Sequence, residues 1–248
     1  MATLVQDSTA SASTASGSPY NVFASNVTVG NGVLLAINNN GTAAGDTISS
    51  VSSPIGTFVF IGRSNTNANS LEFWYCAKAT GAAQSVTVTW ATSTTWTADG
   101  QEWNSAFSSA GSANATNGTA TTAVSGSVTP STGQLAVVAF SANKQISTAP
   151  SSPWINDSIA GGGEGIWNGA GYAGVAYQIA ASGSTLTANW TVNAAASYNA
   201  LGVALTFASS LPTRTKGLPA AVRRANNYFK RESGLWEPER GLIVPRAA

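Results

Sequence analysis

Residues 85–90 read SVTVTW: the valines fall on one side of an extended chain and the threonines on the other. Strand side chains alternate with period two, so this is the pattern of a half-buried β-strand. A second run, ALGVALTF at residues 200–207, is apolar nearly throughout and predicts a central strand covered on both faces. Outward from these, β-branched and aromatic runs alternate with Gly, Asn, Ser and Thr clusters, which read as turns. The predicted strands are Thr3–Gln6, Tyr20–Val29, Gly32–Ile37, Thr57–Ile61, Leu71–Ala77, Ser85–Trp90, Gln101–Phe107, Ala120–Val128, Gln134–Ser141, Tyr172–Ala180, Thr185–Val192 and Tyr198–Phe207. No segment of this body shows a helical period. The expected fold over residues 1–210 is an all-β antiparallel β-sandwich, jelly-roll or Ig-like.

The order GVLLAI (32–37), SSP (52–54), WYCAKATGAAQSVTVTW (74–90) has a counterpart in GQLAVVAF (133–140), SSP (151–153), AYQIAASGSTLTANW (176–190). Two related multi-strand units follow, paired as two sheets of one sandwich or packed as two small sandwiches. Shared Ser/Thr/Ala-rich composition is the competing explanation.

Composition removes many functions. Among 248 residues there is no histidine and one cysteine, Cys76, so no Ser-His-Asp relay, imidazole-bound zinc, internal disulfide or thiolate cage can form. Charged residues make up 8% against roughly 25% in ordinary domains, which leaves little for acid/base chemistry. The net charge of +1 hides an asymmetry. Residues 1–210 hold three cations, Arg63, Lys78 and Lys144, against seven acids, a net of −4, whereas residues 211–248 hold eight cations against three acids, a net of +5. The N-terminal MATLVQDSTASASTASGSP lacks the basic and apolar regions of a secretory signal, and no stretch reaches the roughly 18 apolar residues of a membrane span.

The strands GVLLAI, LEFWYCAKATG (71–81), SVTVTW, QEWNS (101–105), GQLAVVAF, GYAGVAYQIA (171–180) and ALGVALTF, in that order, resemble the β-sandwich modules of tailed-bacteriophage virion proteins and some bacterial surface proteins. The resemblance covers residues 1–208 and departs at EWNS, where those modules carry a glycine. It implies a virion surface or attachment role and no chemistry.

Paired carboxylates are the first candidates for chemistry, because glycoside hydrolases flank the scissile bond with two. Glu72, Asp99, Glu102 and Glu164 are available; the simpler reading is solvated or turn carboxylates. Trp96, Trp103, Trp154 and Trp167 lie in or near Gly/Ser/Thr/Asn-rich stretches, where exposed binding residues often sit, and are the candidate glycan contacts; core filling is the competing role. Asp99-Gly100-Gln101-Glu102 lacks the spacing of an EF-hand loop and reads as a turn. Cys76 reads as a small buried hydrophobe, and Gly161–Gly163 as a loop without a phosphate-cradle motif. The sequons at Asn26 and Asn189 are expected by chance. No catalytic residue, cofactor or metal is expected.

Beyond Leu211-Pro212, Leu218, Ala221, Val222, Ala225 and Phe229 recur at helical spacing. The pattern predicts a basic helix over Pro219–Ser233, with Pro219 in its first turn and Gly234 as its stop, followed by an extended arm. Arg214, Leu218, Val222, Arg223, Arg224, Phe229, Arg231, Trp236 and Ile243 are the candidate anchors: apolar residues to insert into a partner, arginines to meet its acids. Nucleic acid is a poorer fit, since three glutamates interrupt a modest charge. The tail packing back on its own body is the third reading.

The expected function is therefore a non-enzymatic structural protein of a phage particle, made in the host cytoplasm and resident in the virion. Capsid decoration, head fibre or neck protein is preferred to tail fibre or minor tail protein. Its expected partners are other virion proteins (capsid, portal, neck or tail) and further copies of itself. A carbohydrate-binding or receptor-binding module of a tail fibre, recognising a host surface glycan, is the alternative.

Overall fold

Valine, isoleucine, threonine and aromatic side chains dominate the runs that become strands, where they pack well on a pleated surface. In a computed structural model, the chain is described over residues 2–8, 14–39, 46–65, 70–92, 95–124, 127–142, 144, 146–156, 172–209, 229–232 and 235–238. Contacts divide it into two units, Met1–Ala208 and Ser209–Ala248. All described elements are strands, and all pairings are antiparallel.

The first half of the larger unit contains β1 (Leu4–Asp7), β2 (Thr14–Ala15), β3 (Pro19–Asn21), β4 (Gly32–Asn39), β5 (Ile48–Ser52), β6 (Val59–Ser64), β7 (Leu71–Cys76), β8 (Ser85–Trp90) and β9 (Thr95–Trp103). The second contains β10 (Phe107–Ala110), β11 (Asn114–Val124), β12 (Leu135–Ala142), β13 (Ile146–Thr148), β14 (Ile155–Asn156), β15 (Tyr172–Ile179) and β16 (Asn189–Phe207). One main sheet runs β1-β9-β4-β7-β6 with β2 also on β9; the other runs β10-β16-β12-β15-β14 with β11 and β13 also on β16. A three-stranded sheet, β3-β8-β5, completes the first half.

The two pairing orders match strand for strand. β4 and β12 are the central strands, every residue of each buried. β9 and β16 flank them on one side, β7 and β15 on the other. Ala36 faces Asp99 and Phe73 across its ladders, as Ala139 faces Leu201 and Val175. Even the turn into the central strand recurs. Gly30 (φ 101°) and Gly133 (φ 83°) adopt the left-handed backbone that glycine tolerates best. Their N–H groups donate to Ala79 and Ala180 carbonyls, both at 2.8 Å.

Three apolar layers result. Val33, Leu35 and Ile37 pack against Val86, Val88 and Trp90 of the three-stranded sheet. Leu34, Ala36, Phe73 and Trp103, on the reverse of the same main sheet, pack against Leu135, Val137, Leu201 and Val203 of the other. Beyond that sheet, Phe140 stacks on Trp190 at 5.4 Å and 9°, in a layer with Val138 and Val192. The 19-residue β16 serves two layers, pairing β13 and part of β11 through its first half and β12 and β10 through its second.

Several strand expectations need correction; the one predicted at Gln101–Phe107 is divided between the end of β9 at Trp103 and the start of β10 at Phe107. Asp99-Gly100 is not a turn but the middle of β9, where Gly100 admits Val22 and Phe23: a Cβ there would meet Val22 Cγ1 at 2.6 Å. Within the predicted strand Tyr20–Val29 only the start is a strand; Val22, Phe23 and Val27 still face the core. The strand predicted at 185–192 begins only at Asn189 and joins the one predicted at 198–207 in β16, which β11 pairs on both sides of the link, with Thr119 opposite Ser197 and Thr122 opposite Thr191.

In the smaller unit, β17 (Phe229–Glu232) and β18 (Leu235–Pro238) form an antiparallel ribbon joined by Ser233 and Gly234. The helix expected over Pro219–Ser233 therefore does not extend across residues 229–232. Phe229, which fits the helical spacing, is instead the register partner of Pro238 across the two strands. The rest of that predicted helix lies outside the described residues.

Candidate functional site

Glu72 and Glu102 are neither solvated nor in turns. Both are fully buried, and both lie on the face of the first main sheet that meets the three-stranded sheet. Glu72 Oε1 accepts from Arg63 Nε at 2.7 Å and from the Ile48 N–H at 2.9 Å, and its Oε2 accepts from Trp74 Nε1 at 2.8 Å. Glu102 Oε1 accepts from the Thr28 N–H at 2.9 Å and Asn31 Nδ2 at 2.5 Å; its Oε2 accepts from Gln6 Nε2 at 2.5 Å. Their ladder partners on β4, Ile37 and Val33, are four residues apart, about 13 Å at strand rise. Glycosidase carboxyl pairs sit about 5–9.5 Å apart across a sugar, so these two do not make such a pair. They act as acceptors for donors that the sheets would otherwise bury unpaired.

Asp99 lies on the opposite face of the sheet, in the layer between the two halves, and is 2% exposed. Neither oxygen has a hydrogen bond of good geometry. Burial, then the nearby Asp7 charge, push its carboxyl up to about 8, while the Ser8 hydroxyl acts the other way. Burial likewise raises the Cys76 thiol, leaving it an unreactive part of the first apolar layer. Glu164 lies outside the described residues. Among those described, no group of three or more His, Cys, Asp or Glu could hold a metal ion, and no helix is long and apolar enough to cross a membrane.

The tryptophans expected to contact glycans are core residues. Trp96 is 0%, Trp103 1% and Trp154 9% exposed. Their ring N–H groups are also occupied: Trp96 donates to the Ala15 carbonyl, Trp154 to the Thr187 carbonyl and Trp103 to Gln101 Oε1. Trp103 joins the two halves, with Tyr177 at 5.3 Å and Phe207 at 5.6 Å. Trp96 and Trp103 lie on β9, whose polar neighbours in sequence turn to the other face, whereas Trp154 lies just before β14 and is buried from there. Trp167 lies outside the described residues. Trp96→Ala is expected to lower unfolding free energy by about 3 kcal/mol, the cost of emptying a large aromatic site, measured by urea titration; an unchanged midpoint would contradict its core role.

Exposed aromatic surface occurs at a different place, on a strand and not in a loop. Phe60, on edge strand β6, is 42% exposed. It meets the half-buried Trp74 edge-on at 5.4 Å, and the Arg63 guanidinium carbon lies 5.2 Å from its ring centre. Around the edge, a shallow cleft of about 270 Å³ is lined by Val59, Ile61, Tyr75 and Ala110–Ser112. In sequence, FVFIGR (58–63) and LEFWYC (71–76) carried the signal as two aromatic strands; only their pairing brings Phe60, Arg63 and Trp74 together.

Of the candidate anchors, Phe229, Arg231 and Trp236 fall on the hairpin, where Arg231 is the register partner of Trp236 and Phe229 that of Pro238. Arg214, Leu218, Val222, Arg223, Arg224 and Ile243 lie outside the described residues.

No protein-family model, curated protein or solved structure matches the chain.

Proposed function

We propose that this chain is a non-enzymatic structural protein of a phage particle, a capsid decoration, head-fibre or neck protein. Its body is read as two jelly-roll or Ig-like sandwiches displayed on the particle, with the C-terminal unit as its anchor. The observation that carries this reading is the division of labour along the chain. In the body, Glu72, Glu102 and three of the four candidate tryptophans serve internal packing and hydrogen bonding. The cations concentrate in residues 211–248, within a separate compact unit. Basic and aromatic residues gathered in such a segment suit a partner with acidic groups and apolar pockets, here the capsid, portal, neck or tail proteins. Self-association follows from the symmetry usual in such assemblies.

The test is truncation after Ser210. The shortened chain is expected to keep a cooperative thermal transition and a β-type far-UV spectrum, yet to be absent from purified particles by quantitative mass spectrometry. Incorporation at the full-length level would overturn the anchoring role.

A further inference from the structure

We infer that the surface formed by Phe60, Arg63 and Trp74 is a glycan-binding site. It was not among the candidate sites read from the sequence, and it does not depend on how the C-terminal unit acts.

The internal repeat supplies the first argument. Glu72 and Trp74 pair with Ile37 and Leu35 of β4. The matching positions of β15, opposite Phe140 and Val138 of β12, are Gly174 and Ala176. Phe60, opposite Trp74, is matched by Asn156, opposite Ala176. The same sheet is thus built in the second half without the carboxylate and without either aromatic ring. These residues distinguish the first half from the second.

Their arrangement supplies the second. Burying a carboxylate is costly unless it is paired and hydrogen-bonded. Glu72 meets that condition by holding Arg63 Nε and Trp74 Nε1, so one buried group sets the position of the partly exposed Arg63 and of Trp74, which packs against the first apolar layer. Arg63 is one of three cations in residues 1–210, and its side chain remains 28% exposed. Its Nε is committed to Glu72 and its guanidinium carbon lies over the Phe60 ring, which places the two Nη donors next to that ring. A rigid aromatic face with adjacent fixed donors matches a sugar ring, whose C–H face stacks while its hydroxyl or carboxylate oxygens accept hydrogen bonds.

The edge itself disfavours a protein strand as occupant. The β6–β7 register shifts between Phe60 and Gly62, and such bulges interrupt strand addition. The far end of β6 is already engaged, Ser64 Oγ donating to the Thr116 carbonyl of β11 at 3.2 Å. A single cation in a body of net charge −4 is also unsuited to a nucleic-acid backbone.

The experiment applies the full-length chain to an array of neutral and acidic glycans. Hits are followed by saturation-transfer NMR with the methyl glycosides of glucose, galactose, N-acetylglucosamine and sialic acid. Binding is expected, reduced at least tenfold in Phe60→Ala and retained in Phe60→Tyr, with both variants melting within a few degrees of wild type. Arg63→Lys, which keeps the charge but loses the planar fork, is expected to weaken binding as well. A blank array together with silent NMR would overturn the proposal. So would binding that survives Phe60→Ala, or light scattering in which that substitution converts an oligomer to a monomer, since the patch would then be an interface between copies.

Discussion

Replacing Glu102 with alanine is expected to lower unfolding free energy by about 4–5 kcal/mol, one of two large effects at buried carboxylates. The Thr28 N–H, Asn31 Nδ2 and Gln6 Nε2 all donate to this side chain, and each donor left unpaired costs about 1–3 kcal/mol. Damage should spread from β9 in two directions. Gln6 is on β1, and its Oε1 also accepts from Ser25 Oγ at 2.9 Å, so β1 and the segment before β4 lose a shared fastening. Glu102→Gln should cost less, because its amide oxygen retains an acceptor, but its new N–H groups then compete with the donors already present. Urea titration of the two variants reads the difference, and hydrogen exchange should show early opening at residues 4–7 and 25–31. A loss below about 1 kcal/mol in Glu102→Ala would mean that water replaces the carboxylate without penalty.

Asp99→Asn should have the opposite sign and depend on pH. The unfolded chain ionises this carboxyl near 3.8, whereas in the fold it does so only at about 8. Between those values the folded state holds a proton that the unfolded state has released, so stability declines as pH rises through the window and levels off above it. The full decline is on the order of 5 kcal/mol, at about 1.4 kcal/mol per pH unit. Asparagine has no such titration. The variant should melt close to wild type near pH 4 and well above it near pH 8, in calorimetry at matched ionic strength. Equal melting temperatures across that range would show that Asp99 is solvated in the folded chain. The repeat points the same way: Asp99 faces Ala36 where Leu201 faces Ala139, so an uncharged residue already occupies the equivalent place.

Much of the all-β architecture was legible in short stretches. SVTVTW becomes β8 with its predicted bounds and its valines buried, because alternation reports directly on a sheet with one covered face. ALGVALTF, read as covered on both faces, becomes the second half of β16 with Ala200–Val203 and Leu205 buried, since a run apolar on both faces needs two coverings. The site was less so. Whether Trp96 is a binding platform or core depends on which sheet lies over β9, and nothing within five residues of it encodes that sheet. Glu72 and Glu102 misled for a related reason. A buried acid is recognised by its donors, and those come from Ile48, Arg63, Thr28 and Gln6, up to 96 residues away. The hairpin at 229–238 misled locally, because Phe229 fits both a helical period and a strand, and the pairing with Pro238 decides it.

By itself, the sequence determined most of the longer strand-forming segments, the inward face of SVTVTW, the charge boundary near Leu211 and the lack of histidine or paired-thiol chemistry. These are properties of composition and short-range order. Only the tertiary structure decided that the chain builds the same sheet order twice and stacks the two halves through Trp103. It alone placed the buried acids among their donors and left Phe60 beside Arg63 and Trp74 at an open edge. Alternation specifies a side chain's face but not what covers that face, and burial and hydrogen-bond partners are set by contacts between strands far apart in the chain.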